Sequence, residues 1–180
     1  VRVADTSTGA TTINLAGVSG VETLKSFGSA HTGLLTFSNV GSITALELSN
    51  TSSTSATTLT YATSAVAGTA DTQAITLDTA AQTGDITVAG VETVNVTASG
   101  SSTLALAAGS AATVNVTASD ATTIDLDAAG NTSLSTVTAA GSTGAVTFLM
   151  NLNNSVEVAV TGGDANDLID TSAGAFGVND

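Results

Sequence analysis

The sequence contains no cysteine, no proline and no tryptophan, and only two of its 180 residues are basic. The lack of cysteine excludes disulfides and thiolate metal sites. Arg2 and Lys25 alone cannot displace enough phosphate counterions for nucleic-acid binding, and they make anionic membranes poor partners. No apolar run approaches the length of a membrane span. We therefore expect neither nucleic acid nor membrane insertion.

Aromatic residues are also scarce, at 3% of the chain, whereas apolar residues make up 42%. Most of these apolar residues are Ala, Val, Leu and Ile, which fill a thin core more easily than a wide one. Fifteen acidic residues against two basic ones give a formal charge of −13. An acidic surface attracts cations and repels other acidic chains. The composition therefore predicts a narrow core and a surface that binds cations.

The middle of the chain repeats every ten residues. The segments are TVNV (93–96), TLAL (103–106), TVNV (113–116) and TIDL (123–126). Alternation within a strand places the second and fourth residues of each segment on one face. Asn95, Ala105, Asn115 and Asp125 are then expected on the opposite face.

Such a short unit holds one strand and one turn, and it cannot bury its apolar face alone. Stacking of identical residues at about 4.8 Å favours an all-β, parallel β-solenoid with short strands at about ten-residue spacing. We expect roughly 20 residues and two strands in each coil. An antiparallel β-sandwich with regularly spaced strands is the alternative. The period is blurred over residues 1–90, so the pattern does not assign them to the same solenoid.

The stretch TGGDANDLID (161–170) differs from its surroundings because its acids have no nearby basic partner. Calcium takes six to eight oxygen ligands from carboxylates, amides and carbonyls in a flexible turn. We expect the two glycines to adopt positive φ and turn their carbonyls towards an ion. The residues assigned to calcium are Gly162, Gly163, Asp164, Asn166, Asp167 and Asp170, with Asp180 as a further ligand.

Other acidic residues are interpreted as ordinary strand and turn residues. Asp125 and Asp127, and likewise Asp78 and Asp85, are expected to be solvated carboxylates, with calcium sites as the alternative. The repeated GVET, at 20–23 and 90–93, is interpreted as a strand entry. In both copies the glycine supplies the turn and the glutamate faces solvent.

The acidic stretch resembles the calcium-binding nonapeptide G-G-x-G-x-D-x-U-x of RTX proteins. Gly162, Gly163, Asp167 and Ile169 match, and Ala165 replaces the third glycine. Together with the Ala/Thr/Val/Gly/Ser-rich texture, this is similar to RTX-type bacterial surface-layer proteins. The resemblance implies type I secretion, folding on external calcium and assembly into a lattice on the cell surface. It also implies a fragment of a longer chain, with a β-solenoid over 1–160 and the start of calcium-binding turns over 161–180.

We therefore expect an extracellular structural protein at a bacterial surface, stabilised by Ca²⁺ and self-associating. Its expected partners are copies of itself, with a cell-surface polysaccharide as a further candidate. The alternative is a type I-secreted adhesin or extracellular-matrix module that binds a glycan or a host surface.

Enzyme activity is not expected. His31 is the only histidine, and it is interpreted as a surface residue of the loop SAHTG (29–33). No nucleophile elbow or phosphate-binding loop accompanies it. Ice binding through flat threonine ladders is also considered, but TST (6–8) and TLT (58–60) do not recur in register, and the regular outward residues of the repeat are Asn, Ala, Asn and Asp.

Overall fold

The computed structural model describes residues 1–128, 130–150 and 157–171. Within them the chain forms sixteen strands and a single 3-10 helix, Thr63–Val66. In the first half the strands are β1 (Arg2–Val3), β2 (Thr11–Asn14), β3 (Thr23–Phe27), β4 (Leu35–Val40), β5 (Ala45–Ser49), β6 (Thr57–Tyr61), β7 (Thr72–Asp78) and β8 (Ala81–Val88). In the second half they are β9 (Thr93–Ser99), β10 (Ser102–Ala107), β11 (Thr113–Ala118), β12 (Thr122–Asp125), β13 (Thr136–Thr138), β14 (Val146–Leu149), β15 (Ala159–Thr161) and β16 (Leu168–Asp170).

The strands form two parallel sheets in a single solenoid. Odd-numbered strands make one eight-stranded sheet, here the odd sheet, and even-numbered strands make the other, the even sheet. One odd strand and the even strand that follows it make a coil of about 22 residues, and there are about seven such turns. The predicted parallel β-solenoid is confirmed, and the antiparallel sandwich is wrong.

The ten-residue repeat stacks residue upon identical residue. Strands β9 and β11 pair without a shift, so that Val94 lies beside Val114 and Asn95 beside Asn115. The valines are buried, and the Asn115 amide donates to Asn95 Oδ1 at 2.8 Å. Each buried Val or Leu contributes about 1.5–3 kcal/mol relative to exposure. Like-on-like stacking therefore supplies both the core and an ordered polar ladder outside it.

Ala105 is an exception to the predicted exposure. Like Asn95 and Asn115 it was expected on the outer face, but only 4% of it is exposed. The neighbouring Leu104 and Leu106 are both fully buried, so alternation keeps Ala105 on the outer face. Its burial coincides with the irregular pairing of β10 with β8, where Leu104 lies beside Gln82 and Leu106 beside Ile86.

The first ninety residues contribute to the same two sheets as the ten-residue repeat. Strand β7 pairs with β9 and strand β8 with β10. Their period is blurred because the turns differ in length. Leu46 pairs with Ile75, 29 positions later, whereas Val94 pairs with Val114, 20 positions later. Much of the extra length lies between β6 and β7, where the 3-10 helix is inserted.

Some turns lie so close to the preceding coil that only glycine fits. A Cβ on Gly144 would lie 2.4 Å from the backbone nitrogen of Asp120 and 2.5 Å from its carbonyl oxygen. Gly33 and Gly84 make similar close approaches to Gly9 and Ser55. These glycines allow successive coils to stack at the spacing that the sheets impose.

We predict that Gly144→Ala lowers the free energy of unfolding by about 1–3 kcal/mol, because a methyl group would force two backbones apart. The measurement is the urea midpoint by circular dichroism. Gly41→Ala is the matched control, since a Cβ there meets nothing within 4 Å. Equal midpoints for the two variants would contradict the close-packing explanation.

The only tyrosine is held against the core. Tyr61 donates its hydroxyl to Oε1 of the fully buried Gln73, whose amide donates to the Thr44 carbonyl at 3.0 Å. Burial raises the pKa of Tyr61 to about 12, although a hydrogen bond with the Thr44 backbone partly opposes the shift. Ionisation of this phenol is therefore coupled to folding.

We predict that the folded chain titrates its tyrosinate absorbance near pH 12, and the urea-unfolded chain near pH 10. Because the folded pKa is the higher one, this stabilisation is complete below about pH 10 and lost as pH rises through about 12. The chain has one Tyr and no Trp, so the absorbance reports Tyr61 alone. A folded midpoint near pH 10 would contradict the buried phenol.

Candidate functional site: the acidic turn

The acidic stretch lies between β15 and β16, where the chain passes from the odd sheet to the even sheet. Asp164 and Asn166 are exposed at the tip of the turn, whereas Asp167 is half-buried beside the preceding coil. Asp170 is half-buried at the far end of β16, beside Leu149. Asp180, the last predicted ligand, lies outside the described residues. The turn thus brings Asp164, Asn166 and Asp167 into one loop and leaves Asp170 on the strand.

The expected conformation of the two glycines is wrong. Neither Gly162 nor Gly163 has positive φ, unlike Gly90 and Gly100. A Cβ on Gly163 would lie 2.5 Å from the Ser142 carbonyl oxygen, and a Cβ on Gly162 would lie 2.5 Å from Asp167 Oδ2. Glycine is needed because the turn presses on the coil beneath it and on its own carboxylate.

Asp167 uses both carboxylate oxygens within the protein. Oδ2 accepts a hydrogen bond from the Gly163 amide at 2.6 Å, and Oδ1 accepts one from the Val146 amide at 2.8 Å. Such charge-assisted bonds are stronger than those between neutral groups. The carboxylate therefore closes its own turn and joins it to the preceding coil.

Two other acids bond across coils in the same way. Glu92 accepts from the amide of Asp71 at 2.8 Å, and Asp120 accepts from the amide of Gly100 at 3.0 Å. In each case the acid lies 20 or 21 residues beyond the amide, about one coil later. Backbone N–H groups thus donate to these carboxylates in place of Lys and Arg side chains, of which the sequence has few.

The predicted calcium ligands have the oxygen donors that calcium prefers, but their side chains are not gathered around one point. All are oxygen donors, and Asp164 and Asn166 are accessible to an ion. Within the part of the chain that the structure describes, no three His, Asp or Glu side chains come together as metal ligands. Any ion at the turn would share the Asp167 oxygens with two amides and take further ligands from carbonyls or water.

Two of the other singled-out acids accept hydrogen bonds within the protein, one from its own turn and one from the neighbouring coil. Asp125 Oδ1 accepts from the Asp127 amide at 3.0 Å, and Asp78 Oδ2 accepts from the Ser49 hydroxyl at 2.9 Å. Both GVET glycines have positive φ, as a turn-forming glycine should. Glu22 is exposed as expected, whereas Glu92 is half-buried by its bond to the Asp71 amide.

His31 is buried, so its interpretation as a surface residue is wrong. Only 1% of it is exposed, and Nδ1 lies 2.8 Å from the Ser53 hydroxyl while Nε2 lies 3.3 Å from Thr57 Oγ1. Both hydroxyl-bearing residues are themselves fully buried. The alternation of the sequence could have indicated this burial. Ser29 and His31 occupy the two inward positions that Thr51 and Ser53 occupy one coil later.

Asp5 belongs to the same group of buried polar residues as His31. Burial raises the pKa of its carboxyl, but hydrogen bonds from Ser7 and Thr11 and the charge of His31 outweigh burial, and the net pKa is below its usual value. Among the described residues, Asp5 Oδ2, Thr51 Oγ1 and Gln82 Oε1 are buried without a hydrogen-bond partner in the protein. Such groups are costly unless they are satisfied by other means. The interior of the solenoid around His31 is therefore polar, as its surface is.

No protein-family model, curated protein or solved structure matches the chain. In the described residues, no helix has the length and apolar character needed to cross a membrane.

We predict that Asp167→Ala lowers the free energy of unfolding by about 1–3 kcal/mol when measured in EGTA, because two amides lose a charged acceptor. Asp164→Ala, at an exposed position of the same turn, is the control and should change stability by less than about 0.5 kcal/mol. Urea unfolding gives both values. If Asp167→Ala had no effect without calcium, the structural role of this carboxylate would be refuted.

Proposed function

We propose that this chain is a structural protein of an extracellular bacterial surface assembly, stabilised by calcium and associating with copies of itself. The observation that carries the proposal is the exposure of two large apolar side chains on β16. Ile169 pairs with the fully buried Phe148 in the core-facing column, yet 46% of Ile169 is exposed. Leu168 beside it is 53% exposed. Exposed apolar side chains such as these gain stability when another copy covers them.

Backbone pairing supports the same proposal. Within the described residues, β1, β2, β15 and β16 each pair with one neighbour only. A strand with one free edge presents unpaired amides and carbonyls to any further strand. A strand of another copy can therefore pair with such an edge.

Charge supports the role of calcium. Copies that carry −13 repel one another, and divalent cations reduce that repulsion when they bind between carboxylates. Asp164 and Asn166 offer exposed oxygens at the acidic turn, beside the half-buried Asp167. In a calcium-poor cytosol the same charges would disfavour assembly, which fits export before assembly. The resemblance to RTX-type surface-layer proteins suggests type I secretion and a location on the cell surface.

A second candidate is an adhesin or matrix module that binds a glycan. A groove of about 310 Å³ on the even sheet favours it, because hydroxyls of Ser101, Thr103, Thr123 and Thr147 line the groove. No aromatic ring lines it to stack on a sugar. The structural proposal is therefore preferred.

Electron microscopy of the purified chain in millimolar calcium, then in EGTA, tests the proposal. We expect ordered sheets or filaments that disappear on chelation and do not return with magnesium, which keeps its water and suits flexible acidic turns poorly. Asp164→Asn with Asn166→Ala should raise the calcium concentration needed. Isolated particles that are unchanged by EGTA would overturn the assembly and favour the adhesin.

A further inference from the structure

The outer face of the odd sheet carries an uncharged area, the neutral strip, formed by the outward residues of β7, β9, β11 and β13. Its centre contains Asn95 beside Asn115, and Thr97 lies beside Thr117 in the next column. A third column contains Thr93, Thr113 and Thr136 in register. Contrary to expectation, outward threonines therefore recur in register beyond the ten-residue repeat itself.

Carboxylates border the neutral strip, and the one that lies on a strand of it is Asp78, at the far end of β7. Asp71 and Glu92 lie in the turns at one edge, and Asp78 and Asp120 lie at the other. On the even sheet, Asp85 lies in the middle of β8 and Asp125 ends β12. The longest run of neighbouring strands there without an outward acid is β2, β4 and β6.

We propose that copies of this chain contact one another through the neutral strip, an inference that rests on the proposed function. Chains of net charge −13 approach most easily where no carboxylate faces another. Two like charges 4 Å apart repel by about 1 kcal/mol even in water, and by more where water is excluded. Contact through the acidic turns, or through β8 and β12, would bring such pairs together.

The side chains of the neutral strip suit contact with an identical face. Threonine hydroxyls and asparagine amides both donate and accept hydrogen bonds, so the strip complements itself about a two-fold axis. The Asn95–Asn115 hydrogen bond already orders the central amides, and β-branched threonine has few rotamers to lose. Little conformational entropy is therefore lost on contact.

The size of the neutral strip predicts the kind of assembly. Its four strands, about 4.8 Å apart and about five residues long, cover roughly 300 Å². A stable dimer buries about 800 Å² on each partner. One such two-fold contact joins only two chains and is too small to hold them together in dilute solution, so an array needs it together with a second contact, the covering of β16 by another copy. Sheets or filaments should then appear above a threshold concentration, without a stable dimer below it.

The test adds two aspartates either to the neutral strip or to the outer face of the even sheet. The double variant Thr97→Asp and Thr117→Asp adds two carboxylates to the neutral strip. The control, Thr12→Asp with Thr60→Asp, adds the same charge at exposed positions of the even sheet. Wild type and both variants are compared in calcium by electron microscopy and sedimentation, and urea midpoints confirm that each is folded. The variant Thr97→Ser with Thr117→Ser keeps the hydroxyls and adds no charge. It shows whether a change at these two positions alone prevents folding or assembly.

We expect wild type, the control and the serine variant to assemble, and the strip variant to need about a tenfold higher concentration, corresponding to about 1.4 kcal/mol per contact. If the strip variant assembles at the control's threshold, the neutral strip is not the contact, while the proposed function stands. If wild type itself does not assemble in calcium, both proposals are overturned. A stable dilute dimer would also contradict the predicted contact.

Discussion

The parallel hydrogen-bond ladder between successive coils is the constraint on which the rest of the structure depends. Each interior strand satisfies its backbone through the coils on either side, so a residue in one coil is held about 4.8 Å from its counterpart in the next. Identical side chains then meet, as Val94 meets Val114 and Asn95 meets Asn115. Residues that stack well on themselves are favoured, and this accounts for the Val, Thr and Asn content. The same close stacking accounts for glycine where turns touch, as at Gly144.

The ladder also explains how so acidic a chain folds with two basic residues. At the ends of strands, some backbone amides donate to a carboxylate of the next coil instead of to a carbonyl. Glu92, Asp120 and Asp167 do so for Asp71, Gly100 and Val146. Serine and asparagine do the same inside the turns, as Ser142 does for Ala118. Acidity is thus partly a structural requirement of the turns, and only the carboxylate oxygens that remain are available to cations.

The fold was predictable where the turns are of equal length. The ten-residue repeat revealed the strands, their inward face and the two-strand coil. Between Leu46 and Ile75 the long turn destroys the period while the pairing persists, because hydrogen bonds depend on strand register and tolerate longer turns. Ala105 and His31 were misjudged because a bulge and a buried polar pair depend on neighbouring coils. At Gly162 and Gly163 the motif indicated glycine correctly, but the cause, contact with Ser142 and Asp167, is visible only in three dimensions.

The interior changes character along the solenoid. In one core-facing column, Gln82 lies beside Leu104, which lies beside Ile124, which in turn lies beside Phe148. In earlier coils His31 and Ser53 are buried and bonded to each other. Buried leucine and phenylalanine contribute hydrophobic stabilisation, whereas buried polar groups contribute little net stability even when they are paired. The apolar column that begins at Leu104 leads to Ile169, which is 46% exposed, so another surface that buried this side chain would extend the column.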